Sequence, residues 1–171
     1  YLQRVYLIAT VGDETVRNLP ISQDRRNYLK WWVANSRNAH YLLHLWENDI
    51  GRSSLWLGEL WAKALKEIGI EGKVHRDGLL KNRFSSQVCF AGLATGEVSV
   101  LGKKSIGISQ RRTSEGAWFQ CAALFSWPVE KIVDMLQLKP REKAIEDLLH
   151  LAAPIECNSE ELATALLKQV F

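Results

Sequence analysis

The chain has 171 residues, 47% hydrophobic and 24% charged, an ordinary globular composition with enough chain to close one core. Its 22 basic and 19 acidic residues leave a formal charge of +3, and the basic groups are dispersed, so nucleic acid is not the expected partner. The longest apolar runs fall far short of the roughly 20 residues that span a bilayer, no basic-then-apolar leader opens the chain, and Cys89, Cys121 and Cys157 lack CxxC or Cys/His zinc spacing.

These features predict a single domain over residues 1–171, with reduced thiols, no metal, no membrane and a cytoplasmic setting. An opening on Tyr1 rather than Met leaves room for residues upstream.

Leu2 to Thr10 is a short β-favouring run closed by a Gly12-Asp13 turn. Ser22 to Val33 reads as a helix of poor apolar pattern, broken at Asn35-Ser36-Arg37-Asn38. His40 to Trp46 reads as a buried strand leading to a helix cap. From Ser53 to Ile68, Leu57, Trp61 and Leu65 and their neighbours recur every third or fourth residue, the clearest helix in the chain, with Gly69 placed as its C-terminal cap and Gly72 to Val74 extended after it.

Further along, the period changes to two. Val98 and Val100 alternate with polar neighbours, Gly102-Lys103 offers a turn, and Ile106 and Ile108 alternate again, which together predict a hairpin, with Ala117 to Phe125 as a strand beside it. Pro128 opens a helix through Leu136, and Arg141 to Ala152 is another. Asn158 with Glu161 makes a capping-box-like start for a last helix through Val170. Strands clustered centrally with helices before and after predict an α+β domain.

The most informative stretch runs from Val88-Cys89-Phe90-Ala91-Gly92, through Gly96-Glu97-Val98-Ser99-Val100, to Gly102-Lys103-Lys104-Ser105-Ile106-Gly107-Ile108-Ser109-Gln110-Arg111-Arg112. It resembles the octanoyltransferases and lipoyl amidotransferases of the biotin/lipoate protein ligase family, and Gly116-Ala117-Trp118-Phe119-Gln120 continues the likeness. The resemblance covers about residues 45 to 137 and implies a class II aminoacyl-tRNA synthetase/biotin synthetase-like domain with a mixed, largely antiparallel sheet flanked by helices. It also implies an acyltransferase that moves an octanoyl or lipoyl group through a cysteine thioester to a lysine of a lipoyl-carrier domain, with an acyl-carrier or lipoyl-carrier protein as partner and no cofactor. Two alternatives stand beside it: an ATP-dependent lipoate-protein ligase using ATP and Mg, and a non-catalytic relative that binds an acyl group or a carrier domain.

Lys104 matches the lysine that holds the acyl carbonyl, where an ammonium stabilises the charge that develops on oxygen. Counted by twos, it shares a strand face with Ile106 and Ile108, and Lys103 lies on the other. The ordinary alternative is a pair of solvated hairpin lysines. Cys89 matches the nucleophile of the transferases, which needs a thiolate; against that, a free cysteine between Val88 and Phe90 is commonly a small buried hydrophobe.

Gly107, Ser109, Arg111, His75 and Arg76 are second-rank substrate-binding candidates, Gly107 because it permits close approach of a chain to the backbone. Cys121 and Cys157 read as structural, as do His40 and His44. Trp56, Trp61 and Trp118 read as core, and Trp31, Trp32 and Trp46 as a pocket or docking surface. The Arg-Arg and Gly-rich loop that the family places before the helix near Gly51 is missing: Arg25-Arg26 is followed by Asn27-Tyr28, and no glycine occurs between Gly12 and Gly51. A phosphate cradle of glycine amides is therefore not expected there.

Overall fold

The structure, a computed structural model, describes residues 2–10, 49–113 and 116–170. The expected helix over 22–33, the strand over 40–46, His40, His44, Trp31, Trp32 and Trp46 fall outside the described residues, as does the Trp118 side chain.

Five strands, β1 (Leu2–Thr10), β2 (Gly72–Val74), β3 (Val98–Val100), β4 (Lys103–Thr113) and β5 (Gly116–Leu124), form one sheet in the order β1-β5-β4-β3-β2. Every pairing between named strands is antiparallel. Among the described residues, the parallel contribution is a single bridge between Lys104 and Ala152. Four helices are described: α1 (Leu55–Glu67), α2 (Val129–Met135), α3 (Arg141–Leu149) and α4 (Ser159–Val170). The α+β expectation holds, and the predicted elements after residue 49 are found within a few residues of their expected bounds. None of these helices is long and apolar enough to cross a membrane.

The apolar spacing of α1 buries Leu57, Trp61, Ala64 and Leu65 on one stripe. The helix stops as Gly69 was expected to stop it. At φ 80°, Gly69 donates to Lys66 O at 3.0 Å while Ile70 N–H reaches Leu65 O at 2.9 Å, a paired closure that satisfies the last carbonyls. Asn158 caps α4, its Oδ1 accepting from Glu160 N–H at 2.8 Å. Helices α1 and α4 both pack on one face of the sheet, over Val98, Ile106, Phe119, Cys121 and Ala123. A smaller second core joins α2 and α3 to Phe84, Val88 and Ala91, and a third cluster of Phe90, Leu124 and Ala152 links that layer to the sheet.

Two local features set the site. The hairpin between β3 and β4 turns at Leu101 and Gly102, both at positive φ (51° and 77°), so the turn lies one residue earlier than Gly102-Lys103 and Lys103 already belongs to the strand. Beyond it the pairing slips. Val100 faces Lys103 and Ser99 faces Lys104, but Val98 faces Ile106, so β4 carries one extra residue at Ser105. That bulge reverses the face count.

Ile106 enters the core beneath α1 and α4, whereas a Cβ on Gly107 would lie 3.5 Å from Lys104 Cε and 3.3 Å from Phe90 Cζ. Lys104 therefore shares its face with Gly107, not with Ile106 and Ile108 as strict alternation predicts. Beyond the bulge the β4–β5 register is regular, so Ser109 and Arg111 follow Gly107 on this second face.

Candidate functional site

The loop from Leu80 to Leu93 is tied at its neck. Leu80 and Leu93 exchange backbone hydrogen bonds at 2.9 and 3.1 Å, and the Asn82 side-chain amide donates to Ala91 O while its Oδ1 accepts from Phe84 N–H at 2.8 Å. On its returning limb Cys89–Ala91 forms one 3₁₀ turn. Val88 and Ala91 enter the second core and Phe90 the third, leaving Cys89 exposed between them. Its neighbours are buried as expected; the cysteine itself is not the buried hydrophobe that their character suggested.

The other thiols differ. Burial pushes Cys121 up from its ordinary 9.0 to about 12, with the Trp61 indole opposing this in part. Cys157 is also raised, first by burial and then by the nearby Glu161 carboxylate. Cys121 lies in the core and Cys157 packs partly against it, whereas Cys89 is the exposed one of the three.

Lys104 is no solvated hairpin lysine. Its side chain is 4% exposed and forms an ion pair at 2.7 Å with Glu97 Oε2, itself 6% exposed. The same ammonium donates to the carbonyl of Cys89 at 3.0 Å and to that of Gly92 at 2.9 Å, and it lies 5.0 Å from the centre of the Phe90 ring. Lys104 and Cys89 are thus brought together, but through the cysteine's backbone. Lys103, by contrast, reaches outward to Leu149 O at 3.2 Å.

The backbone of Lys104 is equally fixed, its N–H donating to Leu151 O at 2.9 Å and its carbonyl accepting from Ala153 N–H at 3.1 Å. This places the segment after α3 beside β4, in the position that β5 fills farther along.

Glu97 was not singled out from sequence. It precedes β3, one residue after Gly96, whose φ of +87° and whose contact with α1 allow no side chain. A Cβ on Gly96 would sit 2.6 Å from Ser54 O, and one on Gly58 would sit 2.0 Å from Gly96 O. Helix α1 therefore presses directly on the turn that presents Glu97, and Ser54 Oγ donates to Thr95 O at 2.6 Å in the same contact. An acidic residue directly after a glycine and opening an apolar strand was the available signal.

Of the second-rank residues, Gly107 lies under Phe90 beside Lys104, and Ser109 and Arg111 extend the same face, both exposed. His75 and Arg76 are engaged elsewhere. The His75 ring pairs with Gly78 O at 2.9 Å, and Arg76 forms a surface ion pair with Glu59 of α1 at 2.8 Å. Only the His75 backbone adjoins the site, donating to Glu97 O at 2.8 Å. No group of three His, Cys, Asp or Glu side chains that could hold a metal ion occurs among the described residues.

No family model matches the chain, and no characterised protein matches it by sequence. Solved structures do match it in shape. A chain from the archaeal lipoylation system of Thermoplasma acidophilum, a bi-partite lipoate protein ligase with its E2 lipoyl domain, superposes with a TM-score of 0.53 at 14% identity, over 72% of this chain and 45% of its own. This chain has the lipoate-protein-ligase fold. A lipoate-protein ligase A bound with ATP gives 0.48 at 16% identity, and a T. acidophilum structure with bound lipoic acid 0.49 at 15%, each over 72% of this chain and 45% of the neighbour. The chain thus spans less than half the length of these neighbours.

Proposed function

We propose that this chain is an acyltransferase that moves an octanoyl or lipoyl group through Cys89 to a lysine of a lipoyl-carrier domain, with no cofactor. The observation that carries the reading is the exposed Cys89 on a turn whose carbonyl sits 3.0 Å from the buried Lys104 ammonium. The shared fold supports the substrate class.

In the first step the Cys89 thiolate attacks the carbonyl carbon of an acyl thioester, a new C–S bond forms, and the carrier thiolate leaves and takes up a proton. In the second, the neutral ε-amine of the acceptor lysine attacks the Cys89 thioester, an amide forms, and the Cys89 thiol is restored with the proton that the amine gives up. Lys104 stabilises the oxygen that becomes negative in both steps, that oxygen taking the place of the Cys89 carbonyl on the ammonium. Gly107 lets the Phe90 ring and the Lys104 stem close down onto β4, with Ser109 and Arg111 farther along the same face.

An ATP-dependent ligase would need a cradle for phosphate, and the absence of glycine between Gly12 and Gly51 disfavours it. A non-catalytic relative that binds an acyl group or carrier domain is favoured by the same missing loop and by one observation of the structure. Each of the three ammonium donors of Lys104 already has a partner within the protein.

Mass spectrometry after incubation with an octanoyl-carrier protein decides among these. The expected result is a hydroxylamine-sensitive mass gain that is lost in Cys89→Ser. Binding of the octanoyl-carrier protein without an adduct assigns the non-catalytic role, and acylation from free lipoate only when ATP is added assigns the ligase.

A further inference from the structure

A lysine ammonium has three N–H bonds, and those of Lys104 are divided unequally. Two reach into the cysteine turn, to Cys89 O at 3.0 Å and Gly92 O at 2.9 Å, and one reaches Glu97 Oε2 at 2.7 Å. The carboxylate is in turn set by the backbone. Its Oε2 accepts from Ala94 N–H at 2.7 Å and its Oε1 from Ile108 N–H at 3.1 Å. Strand β3 begins only at Val98, opposite Ile106, so the Glu97 side chain supplies the partner that a longer β3 would have given Ile108.

The carboxylate is thus held from both sides, and the ammonium inherits its position. Carbonyl dipoles alone do not hold a buried cation as a counter-charge does, because removing one member of a buried ion pair leaves the other uncompensated.

We propose that Glu97 is the positioning residue of this site: by holding the Lys104 ammonium it fixes the Cys89–Gly92 turn against the second face of the sheet. The importance of this for acyl transfer rests on the function proposed above, whereas the clamp itself rests on geometry. Glu97 does not touch the reacting atoms; it acts through Lys104. Chemically, the clamp keeps the thiol and the ammonium in register while the acyl oxygen replaces one loop carbonyl, since the Glu97 contact remains when that carbonyl is released.

Amide hydrogen exchange on the full chain tests this at Ala91 and Leu93, whose N–H groups bond to Val88 O and Leu80 O and do not touch Glu97. In Glu97→Gln, exchange at both is expected to accelerate roughly tenfold or more while Leu166 in α4 is unchanged. In the double variant Glu97→Gln/Lys104→Met, exchange is expected to be no faster than in Lys104→Met alone, because both changes act through one ammonium.

Unchanged exchange at Ala91 and Leu93 in Glu97→Gln overturns the proposal, as do effects that multiply in the double variant. Should Glu97→Gln fail to fold, the double variant, which removes both charges, carries the comparison with wild type: faster exchange at Ala91 and Leu93 supports the clamp, and wild-type exchange overturns it. The rate of adduct formation at Cys89 gives the second readout. It falls in Glu97→Gln and, in the Lys104→Met background, is lowered no further by the same change. A wild-type protein that forms no adduct sinks the transferase reading, while the exchange rates still decide the clamp.

Discussion

The two faces of the central sheet come from the same strands and have opposite chemistry. Beneath α1 and α4, β4 and β5 present Ile106, Phe119, Cys121 and Ala123 to an apolar core. On the other face the same two strands present Gly107, Ala122 and Leu124, with Lys104 and Glu97 as a buried ion pair beneath the Phe90 ring. A single inserted residue at Ser105 separates these outcomes. Without the bulge, alternation would carry Lys104 into the apolar core with Ile106, where an ammonium has no counter-charge. The difference teaches that the site depends on a local break in strand regularity as much as on residue identity.

The comparison breaks first, and most, on the apolar face. Trp61 is fully buried between α1 and the sheet, and Trp61→Ala is expected to cost about 3–5 kcal/mol in urea denaturation. A loss below about 1 kcal/mol would mean that this face is not the main core.

The two cysteines on opposite faces sharpen it next. The Cys121 thiol, with its folded pKa raised above the unfolded value, favours folding below pH 9 and loses that contribution as pH climbs toward about 12, because the unfolded chain then ionises first. The stability advantage of wild type over Cys121→Ala should therefore shrink above pH 9, by up to about 1.4 kcal/mol per pH unit, in urea melts repeated at each pH. An advantage independent of pH would show that Cys121 is not sealed in the core. Cys89, exposed on its turn, should alkylate with iodoacetamide in the native protein, with Cys121 modified only on unfolding.

The smallest effect belongs to neither face. Leu101 holds a positive φ in the hairpin turn and is 95% exposed. Leu101→Asn is expected to raise stability by up to about 1 kcal/mol, read as a higher melting temperature, because asparagine adopts that conformation more readily.

Much of the fold was legible in the sequence. The 3.6-residue spacing of Leu57, Trp61 and Leu65 and the Gly69 stop predicted α1 and its end. The alternation of Val98 and Val100, then of Ile106 and Ile108, predicted the hairpin. Such patterns are legible because each records one face of one element.

The site was legible in part. Cys89 and Lys104 were singled out and lie together, joined through the cysteine's carbonyl. The face of Lys104 was misread, because a bulge leaves no mark in a strictly alternating count. Glu97 was missed because its partners, Lys104 and the N–H groups of Ala94 and Ile108, are set by tertiary pairing. Gly58 and Gly96 are small for the same kind of reason, a helix pressed on a turn from a distant stretch of chain.

The segment Leu151–Ala153 flanks β4 at Lys104, its backbone groups closing the ladder where β5 has ended. The lysine therefore stands on an interior rung only because residues nearly fifty positions later return to the sheet. Any minimal fragment meant to retain the buried Lys104–Glu97 pair has to run past Ala153; one cut at the end of α3 would turn the lysine's rung into an open border, wetting the ion pair and offering an edge to neighbouring chains.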